Sequence, residues 1–151
     1  GIRTNVIVGF PGETEADVEE LSSFLVDARL DVVGVFAYSD EDGTEAESLG
    51  DKVSTGEIED RYAHVTSLVE GLTAERALER VRESVSVLIE TVESSDLEPV
   101  SVVGRSAHQG PDVDGETVLV WPVGRALPAV GEIVPARVVD AEGVDLVAEP
   151  T

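Results

Sequence analysis

The chain of 151 residues contains no cysteine and no methionine, and Lys52 is its only lysine. Without cysteine it can form no disulfide and can supply no thiolate ligand to an iron–sulfur cluster. Its 10 basic residues stand against 32 acidic ones, which gives a formal net charge of −22. Binding to nucleic acid through phosphates requires clustered Lys and Arg, so nucleic acid is an unexpected partner. No apolar run approaches the roughly 20 residues of a membrane-spanning helix, and we expect no membrane partner.

The acidity is shared by both halves of the chain. Residues 1–80 hold 6 basic and 19 acidic residues, a net charge of −13, and residues 81–151 hold 4 and 13, a net charge of −9. An acidic surface of this kind suits a basic partner, and it also suits simple solubility. The first residue is glycine and a strand-like run follows almost at once, so we expect the chain to be a piece of a longer protein.

The first fourteen residues predict a strand, a sharp turn and the start of a helix. Residues 6–8 are a β-branched run typical of a buried strand. Gly9 and Gly12 then bracket a proline, which indicates an abrupt turn. Thr14 with Asp17 forms a capping box at the start of the next helix.

The pattern continues as alternating helix and strand to about residue 81. Apolar residues at three-and-four spacing predict a helix over residues 15–29, and residues 32–38 predict a second buried strand. Strand, helix and strand at this spacing form a βαβ unit with parallel strands. Ser54 and Glu57 suggest a second capping box, and a long helix is expected from Ile58 to about residue 81.

After residue 81 the apolar period changes to that of strands. Five short strand-like runs follow one another with no helix between them, and glycines, Gly104 among them, separate the runs. Such a pattern predicts a small antiparallel β-barrel of the oligomer-binding (OB-like) type. The five runs are residues 85–89, 100–103, 117–121, 132–139 and 144–147.

Several strings point to a known family. Val-Gly-Phe-Pro-Gly-Glu-Thr at 8–14 and Phe-Ala-Tyr-Ser at 36–39 resemble the segments that follow the fifth and sixth strands of the barrel in radical S-adenosylmethionine (SAM) methylthiotransferases. Two further strings, Gly-Arg-Ser-Ala at 104–107 and Pro-Asp-Val-Asp-Gly at 111–115, are similar to a segment found in one branch of this family. That branch modifies an aspartate of the small-subunit ribosomal protein S-twelve. The resemblance covers essentially the whole chain.

The resemblance implies an α/β plus all-β architecture. Residues 1–81 would be the last two βα units of a partial radical-SAM, TIM-like barrel with a long linker helix, and residues 82–151 would be a TRAM β-barrel. It also implies SAM and two 4Fe-4S clusters as cofactors of a cytoplasmic transferase. Because this chain has no cysteine, it contains no metal ligands for the clusters, and we expect it to be inactive alone.

The residues of the two strand ends are the candidate cofactor-binding residues. Active sites of α/β barrels lie at the C-terminal ends of the strands, and the resemblance places SAM there. A purely structural turn and an aromatic core are the competing interpretation. The candidates are Gly9, Phe10, Pro11, Gly12, Glu13, Phe36, Tyr38 and Ser39.

The expected partner is the basic ribosomal protein S-twelve, held by an acidic barrel. Trp121 could stack on a base, but an anchor in the barrel or a contact to a protein is favoured because the barrel has only four basic residues. Two alternatives stay open. One is the sibling enzyme that methylthiolates a transfer-RNA adenosine, and the other is a non-catalytic acidic adaptor that binds a basic protein.

Overall fold

The structure, a computed structural model, describes residues 1–93, 100–111 and 114–151. The chain divides into two compact units, residues 2–72 and residues 73–151 together with Gly1. The elements of the first part are β1 (Arg3–Val8), α1 (Glu15–Ala28), β2 (Val32–Ala37), a 3₁₀ turn (Ala46–Ser48) and α2 (Thr55–Leu78), the last of which runs past residue 72.

The predicted βαβ unit is confirmed, because β1 and β2 pair in parallel. Both helices cover one face of this two-stranded sheet, where the side chains of the strands and helices form one apolar cluster around Val8, Leu25 and Val65. On the opposite face Ile7 pairs with Phe36, and these side chains are 57% and 53% exposed. The sheet is therefore covered on one side only. That this unit belongs to a larger barrel stays a prediction.

Both predicted capping boxes are present. The Thr14 hydroxyl accepts from the Asp17 amide while the Asp17 carboxylate accepts from the Thr14 amide. Ser54 and Glu57 exchange the same pair of hydrogen bonds, with an amide-to-hydroxyl distance of 3.3 Å. This box starts α2 at Thr55, three residues before the predicted start. Within the described residues, no helix combines the length and apolarity needed to cross a bilayer.

The second unit contains the predicted five strands, and they close into a barrel in the order β3-β4-β5-β7-β6. Its apolar core contains Val87, Ile89, Val102 and Leu119, with Trp121 packed against it. The strands are β3 (Ser84–Glu93), β4 (Ser101–Ser106), β5 (Thr117–Leu119), β6 (Ile133–Glu142) and β7 (Asp145–Pro150).

The prediction of an all-antiparallel barrel is wrong in one pairing, because β5 and β7 run parallel. The reason is one of parity. Strands that alternate in direction can close a ring only if their number is even, so a closed ring of five requires at least one parallel pair. The other four pairings are antiparallel.

Gly104 lies inside β4 and does not separate two runs, which corrects the sequence interpretation. A Cβ atom on this residue would lie 2.1 Å from the Leu88 carbonyl oxygen of the neighbouring strand. The absence of a side chain therefore lets β3 and β4 approach closely. A glycine that serves close approach and one that serves a turn look the same in sequence.

Candidate functional site

The ends of β1 and β2 bring the candidate residues to one edge of the sheet. The two strands are parallel and in register, with Val8 opposite Ala37, so the segments that follow them start side by side. The rings of Phe10 and Tyr38 meet edge to face at a centroid distance of 5.3 Å and an angle of 74°. Such contacts are favourable beyond the area they bury. The structure thus joins one aromatic residue from each segment.

The turn after β1 depends on its glycines. Gly9 has a φ of +81° and Gly12 a φ of +87°, values that residues with side chains rarely adopt. An added Cβ on Gly9 would also lie 2.5 Å from Cγ1 of Ile58. The Gly12 amide donates to the Asp51 carbonyl at 2.9 Å, which ties this turn to the segment before α2.

Glu13 shapes the turn from inside. Its Oε1 atom accepts a hydrogen bond from the Gly9 amide at 2.8 Å and from Nη1 of Arg61 at 2.9 Å. The same guanidinium nitrogen donates to the Glu13 carbonyl at 3.2 Å. Only 13% of the Glu13 side chain and 11% of the Arg61 side chain are exposed. Glu13 is therefore half of a nearly buried ion pair.

Lys52 contacts several residues of the segment that follows β2. Its Nζ atom pairs with the Asp40 carboxylate, donates to the Ala46 carbonyl at 2.8 Å and lies 5.3 Å from the centre of the Tyr38 ring. The Tyr38 hydroxyl donates to the same Asp40 oxygen at 2.7 Å. A pocket of about 380 Å³ lies against this cluster, lined by Tyr38, Asp40, Lys52 and Ile58 among others.

The cluster shifts the ionisation of its members in consistent directions. The hydrogen bond from Lys52 lowers the pKa of the Asp40 carboxyl, and the hydroxyl of Tyr38 lowers it further. Asp40 in turn raises the pKa of the Lys52 ammonium and that of the Tyr38 phenol, while Lys52 acts on the phenol in the opposite sense. At neutral pH the cluster therefore holds a carboxylate, an ammonium and a neutral phenol.

The remaining candidates are less closely joined. Phe36 lies on the uncovered face of the sheet. Ser39 is exposed, and its hydroxyl contacts the Glu41 carboxylate at 3.4 Å. Pro11 is half-buried within the turn. In the three described ranges of the chain, no group of three or more metal-ligating side chains occurs.

In the barrel, the segment that suggested the ribosomal-protein branch forms a buried polar cluster. The Ser106 hydroxyl lies 3.0 Å from that of Thr117, which donates to the Gln109 side-chain oxygen at 2.6 Å. Gln109 also accepts from the Ser106 amide at 2.8 Å. Asp112 and Val113 of the predicted motif lie outside the described residues.

Comparison with known proteins identifies the barrel first. The family model of the TRAM domain matches residues 81–150. Residues 81–150 are similar to TRAM domains. The prediction of such a domain after the long helix is thereby confirmed.

The chain as a whole is similar to curated methylthiotransferases. It is 61% identical over 150 residues to "Ribosomal protein uS12 methylthiotransferase RimO" of Kineococcus radiotolerans, 56% identical to that of Nocardioides sp. and 51% identical to that of Streptomyces avermitilis. Each match covers 99% of this chain and 29–30% of the relative. The predicted resemblance to RimO-type methylthiotransferases is confirmed, and the chain spans about 30% of the length of these relatives.

Four residues around the two strand ends escaped the sequence interpretation, namely Asp40, Asp51, Lys52 and Arg61. Arg61 meets Glu13 across 48 positions, a separation that no local pattern reveals. Lys52 could have been singled out from the sequence, because it is the only lysine in a strongly acidic chain. In the TRAM domain, Trp121 packs against the core, and the Arg125 guanidinium lies 5.1 Å from the centre of its ring.

Proposed function

We propose that this chain is the C-terminal part of a radical-SAM enzyme that methylthiolates an aspartate of ribosomal protein uS12. The observation that carries the proposal is the similarity over 99% of the chain to proteins named uS12 methylthiotransferase RimO. In this proposal residues 1–81 contribute to the catalytic barrel and residues 82–151 contact the protein substrate. Because the substrate is ribosomal, the enzyme would work in the cytoplasm.

The first unit supports the catalytic half of the proposal. Its helices cover one face of the sheet and leave Ile7 and Phe36 on the other, the arrangement expected of strands whose second face points into a barrel. The candidate residues gather where β1 and β2 end, and that edge is where α/β barrels bind their ligands.

The edge where β1 and β2 end offers aromatic surface for the adenine of SAM, whereas the chain offers no cysteine ligand for an iron–sulfur cluster. We propose that Phe10, Tyr38 and Ser39 contact SAM, because the two rings offer aromatic surface for an adenine and Ser39 an exposed hydroxyl. Glu13 is engaged by Arg61 and Gly9, so its contribution would be to hold the turn in shape. Without cysteine the chain cannot ligate either cluster, and we expect no activity from it alone.

The charge of the TRAM domain supports a basic protein substrate. Residues 81–151 have a net charge of −9, which would repel RNA phosphates and attract a surface rich in Lys and Arg. The same charge disfavours the alternative in which a transfer-RNA adenosine is the substrate.

The test is methylthiolation by the longer protein that carries this chain. The enzyme, with its clusters reconstituted, would be incubated with SAM, a reductant and purified uS12, and an added methylthio group would be sought on one aspartate by mass spectrometry. The chain of 151 residues serves as the inactive control. Modification of a transfer-RNA adenosine in place of uS12 would contradict the proposal, and absence of cluster-binding cysteines from the longer protein would support the adaptor.

A further inference from the structure

The connection between β5 and β6, residues 120–132, carries an unusual set of exposed apolar side chains. Val120 is 51% exposed, Val130 is 65% exposed, and Val123 is fully exposed. Leu127, in the same segment, is also exposed. Single exposed apolar residues need no explanation, but several in one surface segment often mark an interaction site.

The backbone of this connection is held in place. The Val120 amide donates to the Ala148 carbonyl at 2.9 Å, and the Gly131 amide donates to the Ile89 carbonyl at 2.8 Å. Between these points Trp121 packs against the barrel core, with Arg125 over its ring. Hydrogen bonds at both ends and the packing of Trp121 therefore anchor the connection to the barrel, which lowers the ordering cost of docking.

The charge of this segment differs from that of the rest of the chain. Residues 117–131 contain no aspartate or glutamate, and this is the longest such run in a sequence with 32 acidic residues. Arg125 is its only charged residue, and Glu116 and Glu132 flank it. The cores of protein interfaces are likewise depleted of charged residues.

We propose that the β5–β6 connection is the apolar docking surface of the TRAM domain for a basic protein, in which Val123, Leu127 and Val130 receive an apolar side chain flanked by lysines and arginines. The inference rests on the proposed function and adds the contact surface to it. Acidic residues of the domain would attract the partner over distance, and the connection would hold it by burying apolar area.

A protein occupant fits this surface better than a single-stranded RNA. Base stacking needs an open aromatic face, but the Trp121 ring packs against the core and carries the Arg125 guanidinium at 5.1 Å. Arg125 is also the one cation within residues 117–131, too few for contacts along a phosphate backbone.

The test compares binding of uS12 to the full chain and to the double variant Val123→Ser/Val130→Ser. Removing two exposed methyl-bearing side chains should weaken binding roughly tenfold and leave the dependence of affinity on salt unchanged. Val26→Ser, a change at an exposed valine of α1, is the matched control and should bind as the wild type does. Trp121 is the only tryptophan, so 5-fluorotryptophan labelling gives a ¹⁹F signal that should shift when uS12 binds.

The outcomes separate this inference from the function on which it rests. If the wild-type chain binds uS12 and the double variant binds equally well, the docking surface is overturned while the proposed function stands. If uS12 binds without moving the Trp121 signal, the docking surface is likewise overturned. If the wild type does not bind uS12 but binds a single-stranded RNA through the same residues, both proposals fail.

Discussion

At the scale of single residues, the contact between Glu13 and Arg61 does most to define the turn after β1. The carboxylate satisfies the Gly9 amide and the guanidinium together, and both side chains are nearly buried. Removing one partner of such a pair leaves the other charge without compensation in a poorly solvated place.

We therefore expect Glu13→Gln to destabilise the first unit. Breaking a buried ion pair costs roughly 3–5 kcal/mol, and the slight exposure here lowers the expected loss to about 2 kcal/mol. Urea unfolding followed by the helical circular dichroism signal measures it. Glu15→Gln, in the first turn of α1, is the control and should change stability by less than about 1 kcal/mol. If both variants lose the same free energy of unfolding, the ion pair of Glu13 and Arg61 does not stabilise the unit more than an ordinary surface carboxylate does.

The contacts of Tyr38 predict how the pKa of its phenol responds to substitution of its neighbours. The hydrogen bond to Asp40 raises the pKa of the phenol, so its contribution to stability is present below the ordinary pKa of about 10 and is lost as pH rises through the folded-state pKa. In a Tyr62→Phe background, which leaves Tyr38 as the only tyrosine, Asp40→Ala should lower the pKa of Tyr38. Lys52→Met should raise it, because Lys52 favours the phenolate. Absorbance at 295 nm follows the titration, and shifts of the same sign would contradict this arrangement.

Residue-level prediction succeeded where the signal was local and failed where it was not. Thr14 with Asp17 and Ser54 with Glu57 lie three positions apart, and both capping boxes could be read directly from the sequence. The ion pair of Glu13 could not, because its partner approaches through the packing of α2 against the sheet. Whether the eight candidate residues bind SAM stays a prediction.

At the scale of elements, the spacing between β3 and β4 depends on Gly104. A methyl group there would lie 2.1 Å from a backbone oxygen, and a backbone atom cannot move aside as a side chain can. The bulge in β3 between Ile89 and Thr91 lies beside the same contact and had no marker in the sequence. Alternation of apolar residues predicted the strands, but it could not show that Gly104 lies inside β4, where two strands approach closely.

Gly104→Ala should therefore destabilise the barrel by about 3 kcal/mol or more, at the upper end of the cost of overpacking. Near-ultraviolet circular dichroism of Trp121 during thermal unfolding measures the loss. Gly143→Ala is the control, since a Cβ there meets nothing within 4 Å and only the positive φ of +60° opposes it. That variant should lose about 1 kcal/mol. A Gly104→Ala barrel as stable as the control would contradict the close approach.

At the scale of the whole molecule, the uncovered face of the sheet is the feature with the largest consequence. Ile7 and Phe36 face away from both helices, and the sheet has two strands in the described part of the chain. Exposed strand edges beside apolar side chains favour pairing with other chains.

We expect the isolated chain to associate, or to lose order in residues 1–80, and Phe36→Ser to reduce the association. Phe24→Ser is the control, because Phe24 is 56% exposed on α1 and not on the sheet. Sedimentation velocity over a range of concentrations compares the three proteins. A monomeric wild type with sharp, well-dispersed amide signals from residues 1–80 would contradict this expectation.

The order of the barrel strands shows which features of the whole fold could be predicted from the sequence. Five strands in a closed or nearly closed barrel were predicted. Closure requires a parallel pair by parity, yet which pair it is follows only from three-dimensional packing. The parallel pair is β5 with β7, and β7 lies between β5 and β6 in the ring. The β5–β6 connection must therefore pass the C-terminal end of β7.

This crossing has a practical consequence for handling the protein. Arg125 in the connection donates to the carbonyl of Pro150 at 3.4 Å, so the last residues of β7 lie directly beside it. An affinity tag or fluorescent fusion added after Thr151 would therefore begin close to the carbonyl that Arg125 contacts and would crowd the connection. Labels for interaction experiments belong instead on the exposed side of α1, far along the chain from this crossing.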